Sequence, residues 1–256
     1  MKLSARLQLI ADRIPPGCRL ADIGSDHALL PVYAVRHGLA SFAVAGEVNE
    51  GPLEAAKRQV AEAGEGGRVS VRKGDGLAVI EPGEVDCITI AGMGGALIVS
   101  ILTAGAGKLE GVSRLVLQPN VGEDTVRRWL LENDWYLAEE TIVEEDGKIY
   151  EILTADRTTD APALNEQLYR ERPLHDEAGE AVVLTKELLL MMGPWLTRQP
   201  AQTWFAKWEM ELDKLEKIRR SVAASKQGAA REKEEQLKTV LGRLKEVLAC
   251  LRKVKP

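Results

Sequence analysis

The chain has 256 residues, 45% hydrophobic and 29% charged, which suits one or two globular domains and excludes a disordered chain. Its net charge of −5 is uneven: residues 156–256 carry +3 and the remainder −8, so a polyanion would meet the C-terminal part, although a solvated helical surface accounts for +3 equally well. Three widely spaced cysteines, Cys18, Cys87 and Cys250, argue against a disulfide framework or a zinc site and suit a reducing cytosol, and no stretch approaches the roughly 20 apolar residues of a membrane span.

Leu3, Leu7, Leu9, Ile10 and Ile14 share one helical face. Met1 to Arg6 therefore leads into an amphipathic helix rather than an apolar signal core, and Pro15-Pro16-Gly17 ends that helix. A strand over 18–23 runs into the turn Gly24-Ser25-Asp26-His27-Ala28. A helix over 29–37 follows, closed by Gly38. Strand two covers 42–47. Pro52 opens a helix to about residue 63, and glycines at 64–67 break it. Strand three, 69–71, ends in Lys73-Gly74-Asp75-Gly76-Leu77. An apolar strand over 85–91 runs into Gly92-Met93-Gly94-Gly95 and a helix. Strand five, 114–117, closes at Gln118-Pro119-Asn120 before a helix over 123–133. Two strands, 135–144 and 148–154, flank Glu145-Asp146-Gly147, a hairpin signal.

Repeated β-α units imply right-handed crossovers and a parallel sheet covered on both faces. Ending such a sheet in an antiparallel hairpin is the outline of a class I, Rossmann-like methyltransferase using S-adenosyl-L-methionine (SAM); a dinucleotide-binding domain would continue with parallel units. Composition shifts after Asp156, so the expected domains are 1–157, the SAM-dependent domain, and 158–256, an all-α coiled-coil hairpin. Leu237, Leu241, Leu244, Leu248 and Leu251 form an a/d seam, and Trp204, Trp208, Leu212, Leu215 and Val222 a matching stripe. Ser225-Lys226-Gln227-Gly228 supplies a turn between them, with one continuous helix through Gly228 as the alternative.

The chemistry sits at the strand ends. A strand–turn–helix puts backbone N–H groups and a helix N-terminus at the carboxyl edge of the sheet, where ligands bind. In Asp22-x-Gly24-Ser25-Asp26-His27 the glycine admits a ligand close to the backbone, and Asp26 suits the cofactor's ammonium group. Glu47, 25 positions after Asp22, can accept from both ribose hydroxyls. Asp75, between Gly74 and Gly76, can accept from an adenine amine while the Leu77 N–H meets a ring nitrogen. Ala91-Gly92-Met93 leaves room beside the methyl group, and Asn120 aims polar atoms at the same cleft. Read singly, these are strand-end turns and helix caps; three strand ends with an acid in this order make a SAM site. His27 fits a substrate contact or a buried, satisfied histidine equally. No P-loop lysine follows the glycines, which excludes phosphate hydrolysis of that type.

Ala21-Asp22-Ile23-Gly24-Ser25-Asp26-His27-Ala28, Ala45-Gly46-Glu47, Gly74-Asp75-Gly76-Leu77, Ile90-Ala91-Gly92-Met93-Gly94-Gly95 and Leu117-Gln118-Pro119-Asn120 resemble the bacterial TrmK-type tRNA (adenine-22, N1)-methyltransferases. The resemblance covers residues 1 to about 155. It departs at Leu29, where much of that family has a tyrosine. It implies methyl transfer from SAM to N1 of a tRNA adenine, with tRNA as partner and no metal or membrane. Adenine N1 carries its own lone pair, so Asp26 and Asn120 are expected near the developing cation rather than as a general base. Lys217, Arg219, Arg220 and Lys226 on the basic hairpin, with His27, are the candidate RNA contacts; an ordinary solvated coiled coil or a dimerisation element fits the hairpin equally well. An NAD-dependent oxidoreductase, disfavoured by the missing GxGxxG, and a non-catalytic nucleoside- and RNA-binding protein are the alternatives.

Overall fold

The computed structural model describes residues 2–175, 181–224 and 229–253. The chain divides into two compact units, Met1–Glu166 and Gln167–Pro256. The first holds a seven-stranded sheet: β1 (Cys18–Ile23), β2 (Ala40–Glu47), β3 (Val69–Lys73), β4 (Cys87–Met93), β5 (Arg114–Pro119), β6 (Trp135–Glu145) and β7 (Lys148–Arg157), in spatial order β3-β2-β1-β4-β5-β7-β6. β1 to β5 are parallel; β7 runs antiparallel to both β5 and β6. The order reverses between β1 and β4, so the loops after these strands diverge and leave a crevice at their carboxyl ends.

The apolar runs read as central strands are central because both faces are covered. Leu20, Ile88, Ile90, Leu115, Val116 and Leu117 are fully buried. The covering helices are α1 (Ala5–Ala11), α2 (Leu29–Arg36), α3 (Glu50–Glu62), α4 (Gly95–Ala104) and α5 (Glu123–Glu132). Helix α1 stops earlier than its prolines suggest. Arg13 and Ile14 donate back only three residues, to Ile10 and Ala11, a tightened final turn ahead of Pro15. Strand β4 extends beyond the expected residue 91. A bulge between Ala91 and Met93 carries pairing with β5 through Gly92, so Met93 stands opposite Pro119. The β6–β7 turn matches its sequence: Asp146 and Gly147 take φ of +51° and +70°, the two left-handed residues of a tight hairpin.

Helix α6 (Ala161–Leu168) spans the boundary at Glu166, and the second unit holds α7 (Lys186–Met192), α8 (Gln202–Ala223) and α9 (Ala229–Lys253). It is not all-helical. A two-stranded antiparallel sheet pairs β8 (Arg172–His175) with β9 (Ala181–Leu184). Each strand is only four residues long, and Pro173 weakens the local signal, so periodicity had little to register. Helices α8 and α9 are antiparallel, joined by Arg219 Nη1 donating to Glu234 Oε1 at 2.9 Å and by a contact between Arg252 and Glu209. Trp204, Trp208, Leu241, Leu244, Leu248 and Leu251 bury the seam; Leu212, Leu215, Val222 and Leu237 are half-buried. Residues 225–228, including Lys226, lie outside the described residues.

Candidate active site

The turn after β1 is held by its neighbours. Gly24 and Ser25 N–H both donate to the Gly46 carbonyl, at 2.9 and 3.2 Å. Asp22 is buried and accepts from Ser25 Oγ at 2.6 Å and from Thr89 Oγ1 at 2.5 Å. Burial pushes its carboxyl up to about 6, against the pull of those two hydroxyls, with the Glu47 charge adding to the rise. Glu47 is also raised, by burial first, while the Asp26 N–H it accepts at 2.6 Å holds it down. Asp26, His27 and Ala28 then take φ of +36°, +66° and +53°. Three successive left-handed residues without a glycine cost about 1–3 kcal/mol each. The Glu47 hydrogen bond and the start of α2 hold the first and last of them.

A cavity of about 370 Å³ opens at the β1/β4 switch point. Of the expected site residues, Asp22, Gly24, Ser25, Asp26, Ala91, Gly92, Met93 and Asn120 line it together. The Asp26 side chain is 82% exposed. The Met93 side chain lies over Gly24; a Cβ at position 24 would stand 2.2 Å from its methyl group. Asn120 Nδ2 donates to the Gly92 carbonyl at 2.8 Å, and its Oδ1 accepts from Gln118 Nε2 at 3.0 Å. Its amide therefore ties the ends of β4 and β5 together.

Asp75, Gly76 and Leu77 line a second hollow of about 300 Å³, against Ser100 and Ile101 of α4. Glu47 links the two regions, its carboxylate to Asp26 and its carbonyl to the Gly74 N–H at 2.9 Å. His27 does not line the larger cavity; its ring is 57% exposed, with Nε2 3.5 Å from Asp26 Oδ1.

Sequence reasoning missed Arg6, Leu7, Leu30 and Tyr150, which complete the larger cavity beside Leu29. Arg6 Nη1 donates to Gln118 Oε1 at 2.6 Å, and the same oxygen accepts from the Gly92 N–H at 3.2 Å. No motif spacing joins residues 6, 118 and 150; only the completed sheet does.

On the second unit, Lys217 is exposed. Arg219 bridges Glu216 and Glu234, and Arg220 pairs with Glu216 at 3.3 Å. Arg219 is thus a cross-helix tie before it is anything else. Among the described residues no cluster of three histidine, cysteine or acidic side chains is placed to hold a metal ion, and no helix is long and apolar enough to cross a membrane.

A family model described as tRNA (adenine(22)-N(1))-methyltransferase, TrmK, matches residues 20–246. The Bacillus subtilis (strain 168) tRNA (adenine(22)-N(1))-methyltransferase is 46% identical over 218 residues, 85% of this chain and 84% of the relative. The crystal structure of the B. subtilis m1A22 tRNA methyltransferase TrmK superposes with a TM-score of 0.84 at 42% identity, covering 96% of this chain and 99% of that one. A Streptococcus pneumoniae relative solved in complex with SAM gives 0.78 at 35% identity, covering 96% and 100%. With the five motifs at the ends of the five parallel strands and this similarity along most of the length, the chain belongs to the TrmK family of tRNA (adenine(22)-N(1))-methyltransferases.

Proposed function

We propose that this chain transfers a methyl group from SAM to N1 of adenine 22 in tRNA. The observation that carries the reading is the crevice at the β1/β4 switch point, where Asp22, Asp26 and the Gly92 bulge line one cavity. SAM supplies an electrophilic methyl on a sulfonium. The residues fit it: Gly24 lines the cavity with no side chain of its own, the carboxylates of Asp22 and Asp26 line it beside a ligand that carries positive charge, and Glu47 stands next to them on the Asp26 N–H. Glu47 is assigned the ribose hydroxyls, Asp75 and the Leu77 N–H the adenine ring, and Gly74, Gly76, Ser25, Ala91 and Met93 the surrounding wall, with the exposed His27 left to the substrate side. Asp26 offers negative charge to the base as it becomes cationic. Asn120 acts by holding Gly92 and Met93 in position, which favours in-line attack by the N1 lone pair. N1 lies on the pairing edge, so the base must leave its stack. Three buried free thiols and a tRNA substrate support a cytoplasmic setting.

The test is methylation of unmodified bacterial tRNA with labelled SAM, followed by nucleoside analysis. Label in 1-methyladenosine is the expected result, and its loss from a transcript with adenine 22 replaced gives the position. Label in another nucleoside would keep the cofactor and overturn the target. SAM binding without label would favour a non-catalytic binding protein.

The Asp22 environment gives a pH prediction. Its carboxyl sits at about 6 against an ordinary value near 3.8, so the folded protein holds a proton there that the unfolded chain has lost. Its contribution to stability therefore rises as pH falls from about 6 towards 3.8. Ligand binding has the opposite sense, because a cationic ligand needs the ionised form. SAM affinity should fall by up to about tenfold per unit below pH 6, and S-adenosyl-L-homocysteine, without the sulfonium charge, should lose less. Calorimetry across pH 5–7.5 checks it; a parallel loss for both ligands would mean that Asp22 does not sense the sulfonium.

The hairpin is proposed to contact tRNA phosphates through Lys217 and Arg220, with Lys226, a residue outside the described set, as a further candidate. Arg219 is kept out of the test because its reversal would break the tie to Glu234. The double variant Lys217→Glu, Arg220→Glu should weaken tRNA binding and flatten its salt dependence by about two phosphate contacts. An unchanged slope in filter binding between 50 and 200 mM salt, roughly the range over which such contacts are read, would make the hairpin a structural element.

A further inference from the structure

We infer that Tyr150 is the stacking surface for the extruded target base, held in place by Arg6. This rests on the methyltransferase reading above and goes beyond it, by naming a base contact outside every motif of the sequence.

Tyr150 is a half-buried residue of β7, and it is the aromatic side chain among those lining the 370 Å³ cavity. Its companions are small, aliphatic or polar, so none presents a comparable flat face. The Arg6 guanidinium carbon stands 5.2 Å from the Tyr150 ring centroid, a cation–π contact. Arg6 is itself fixed from several directions. Its Nη1 donates to Gln118 Oε1 at 2.6 Å, its backbone N–H donates to Glu145 Oε1 at 3.1 Å, and its Nε lies 3.9 Å from Glu145 Oε2. Because Gln118 also receives the Gly92 N–H, the Arg6–Tyr150 pair is anchored to the strand ends where the methyl group is delivered.

An adenine pulled from its helix loses its neighbours' stacking, and a protein offsets this by offering an aromatic ring or a guanidinium plane. The Arg6–Tyr150 pair offers both. The charge arrangement also distinguishes substrate from product. Neutral adenine is tolerated beside Arg6. Once N1 has gained the methyl group the base is cationic; it is then attracted to the tyrosine face and repelled by the guanidinium, whose own hold on that face it contests. Arg6 is a positioning residue in this scheme and Tyr150 the contact.

The test compares the wild type with Tyr150→Leu and Tyr150→Phe, using unmodified tRNA transcript and labelled SAM. Stacking on one base predicts a loss of kcat/KM of about 5- to 150-fold for Tyr150→Leu. Tyr150→Phe should stay within about twofold of wild type, since it keeps the ring. SAM affinity by calorimetry and the melting temperature should be unchanged in both. Wild-type activity in Tyr150→Leu would overturn the proposal, as would equal losses in both variants, which would point to the hydroxyl. A matching loss of SAM affinity would also overturn it, by moving Tyr150 to the cofactor. Failure of the wild type itself to label any tRNA would overturn the methyltransferase reading, and this inference with it. If Tyr150→Leu melts early, Arg6→Gln supplies the second test. It frees the tyrosine without removing it, and should raise KM for tRNA while leaving SAM affinity intact; an unchanged KM would overturn the positioning role.

Discussion

Replacing Arg127 with alanine is expected to remove about 3–5 kcal/mol of folding stability, the cost of leaving buried charge without its partner. Arg127 projects from α5 and is wholly buried. Its Nε donates to Glu140 Oε1 of β6 at 2.6 Å, and its Nη2 to Glu151 Oε2 of β7. Both carboxylates are wholly buried at their side chains. Truncation would strand them against each other in an apolar setting, where both must take up protons or drag in water. Urea denaturation of the variant measures the loss, which for a domain of this kind is a large part of the total. A loss below about 1 kcal/mol would mean that other groups already compensate the acids. The triple variant Arg127→Met, Glu140→Gln, Glu151→Met should recover most of the stability, because the expense lies in the unpaired charge rather than in the missing bridge. Glu151 is adjacent to Tyr150, so the single variant should also loosen the strand that carries the proposed stacking face.

Glu47→Ala should weaken SAM binding by about a hundredfold or more. Two ribose hydroxyls donating to one carboxylate are charge-assisted bonds worth about 1.5–3 kcal/mol each, and every 1.4 kcal/mol is a factor of ten. The same carboxylate receives the Asp26 N–H, so its removal also releases the entry to the left-handed run through Ala28. Glu47→Gln keeps an acceptor without the charge and should fall between wild type and alanine. Calorimetry gives the affinity and thermal melting confirms the fold. Full affinity in the alanine variant would remove Glu47 from the ribose role.

Much of the sheet was legible because β1, β4 and β5 are largely apolar runs that end at glycine or proline, and because a hairpin turn such as Asp146-Gly147 announces itself by backbone preference. The position of the acids at 22, 47 and 75, at or just past the ends of β1, β2 and β3, was legible because glycine turns mark where those strands stop. Arg6 and Tyr150 were not. Arg6 sits among the apolar residues of a short helix, Tyr150 in a strand with no marked alternation, and their meeting depends on β7 inserting beside β5 with α1 across them. Arg127 was hidden for a related reason: an arginine on an amphipathic helix reads as solvent-facing, and only the acids of the hairpin give it a reason to be inside. Arg219 was misleading in the opposite sense. Its place in a basic run reads as a candidate RNA contact, while the structure has it paired with Glu216 and Glu234.

The pairing of Arg6 with Glu145 across 139 residues has a consequence for biosynthesis. At about 5–20 residues per second, roughly 7–28 s of translation separate the emergence of the two. The early strands can assemble in that interval while the first helix waits for its counterpart. The cavity at the β1/β4 switch point is therefore closed last, by the oldest and youngest segments of the nascent domain. Trimming or fusing the amino terminus should then leave a folded sheet with an ill-formed mouth, a defect that a stability assay would miss and a turnover assay would reveal.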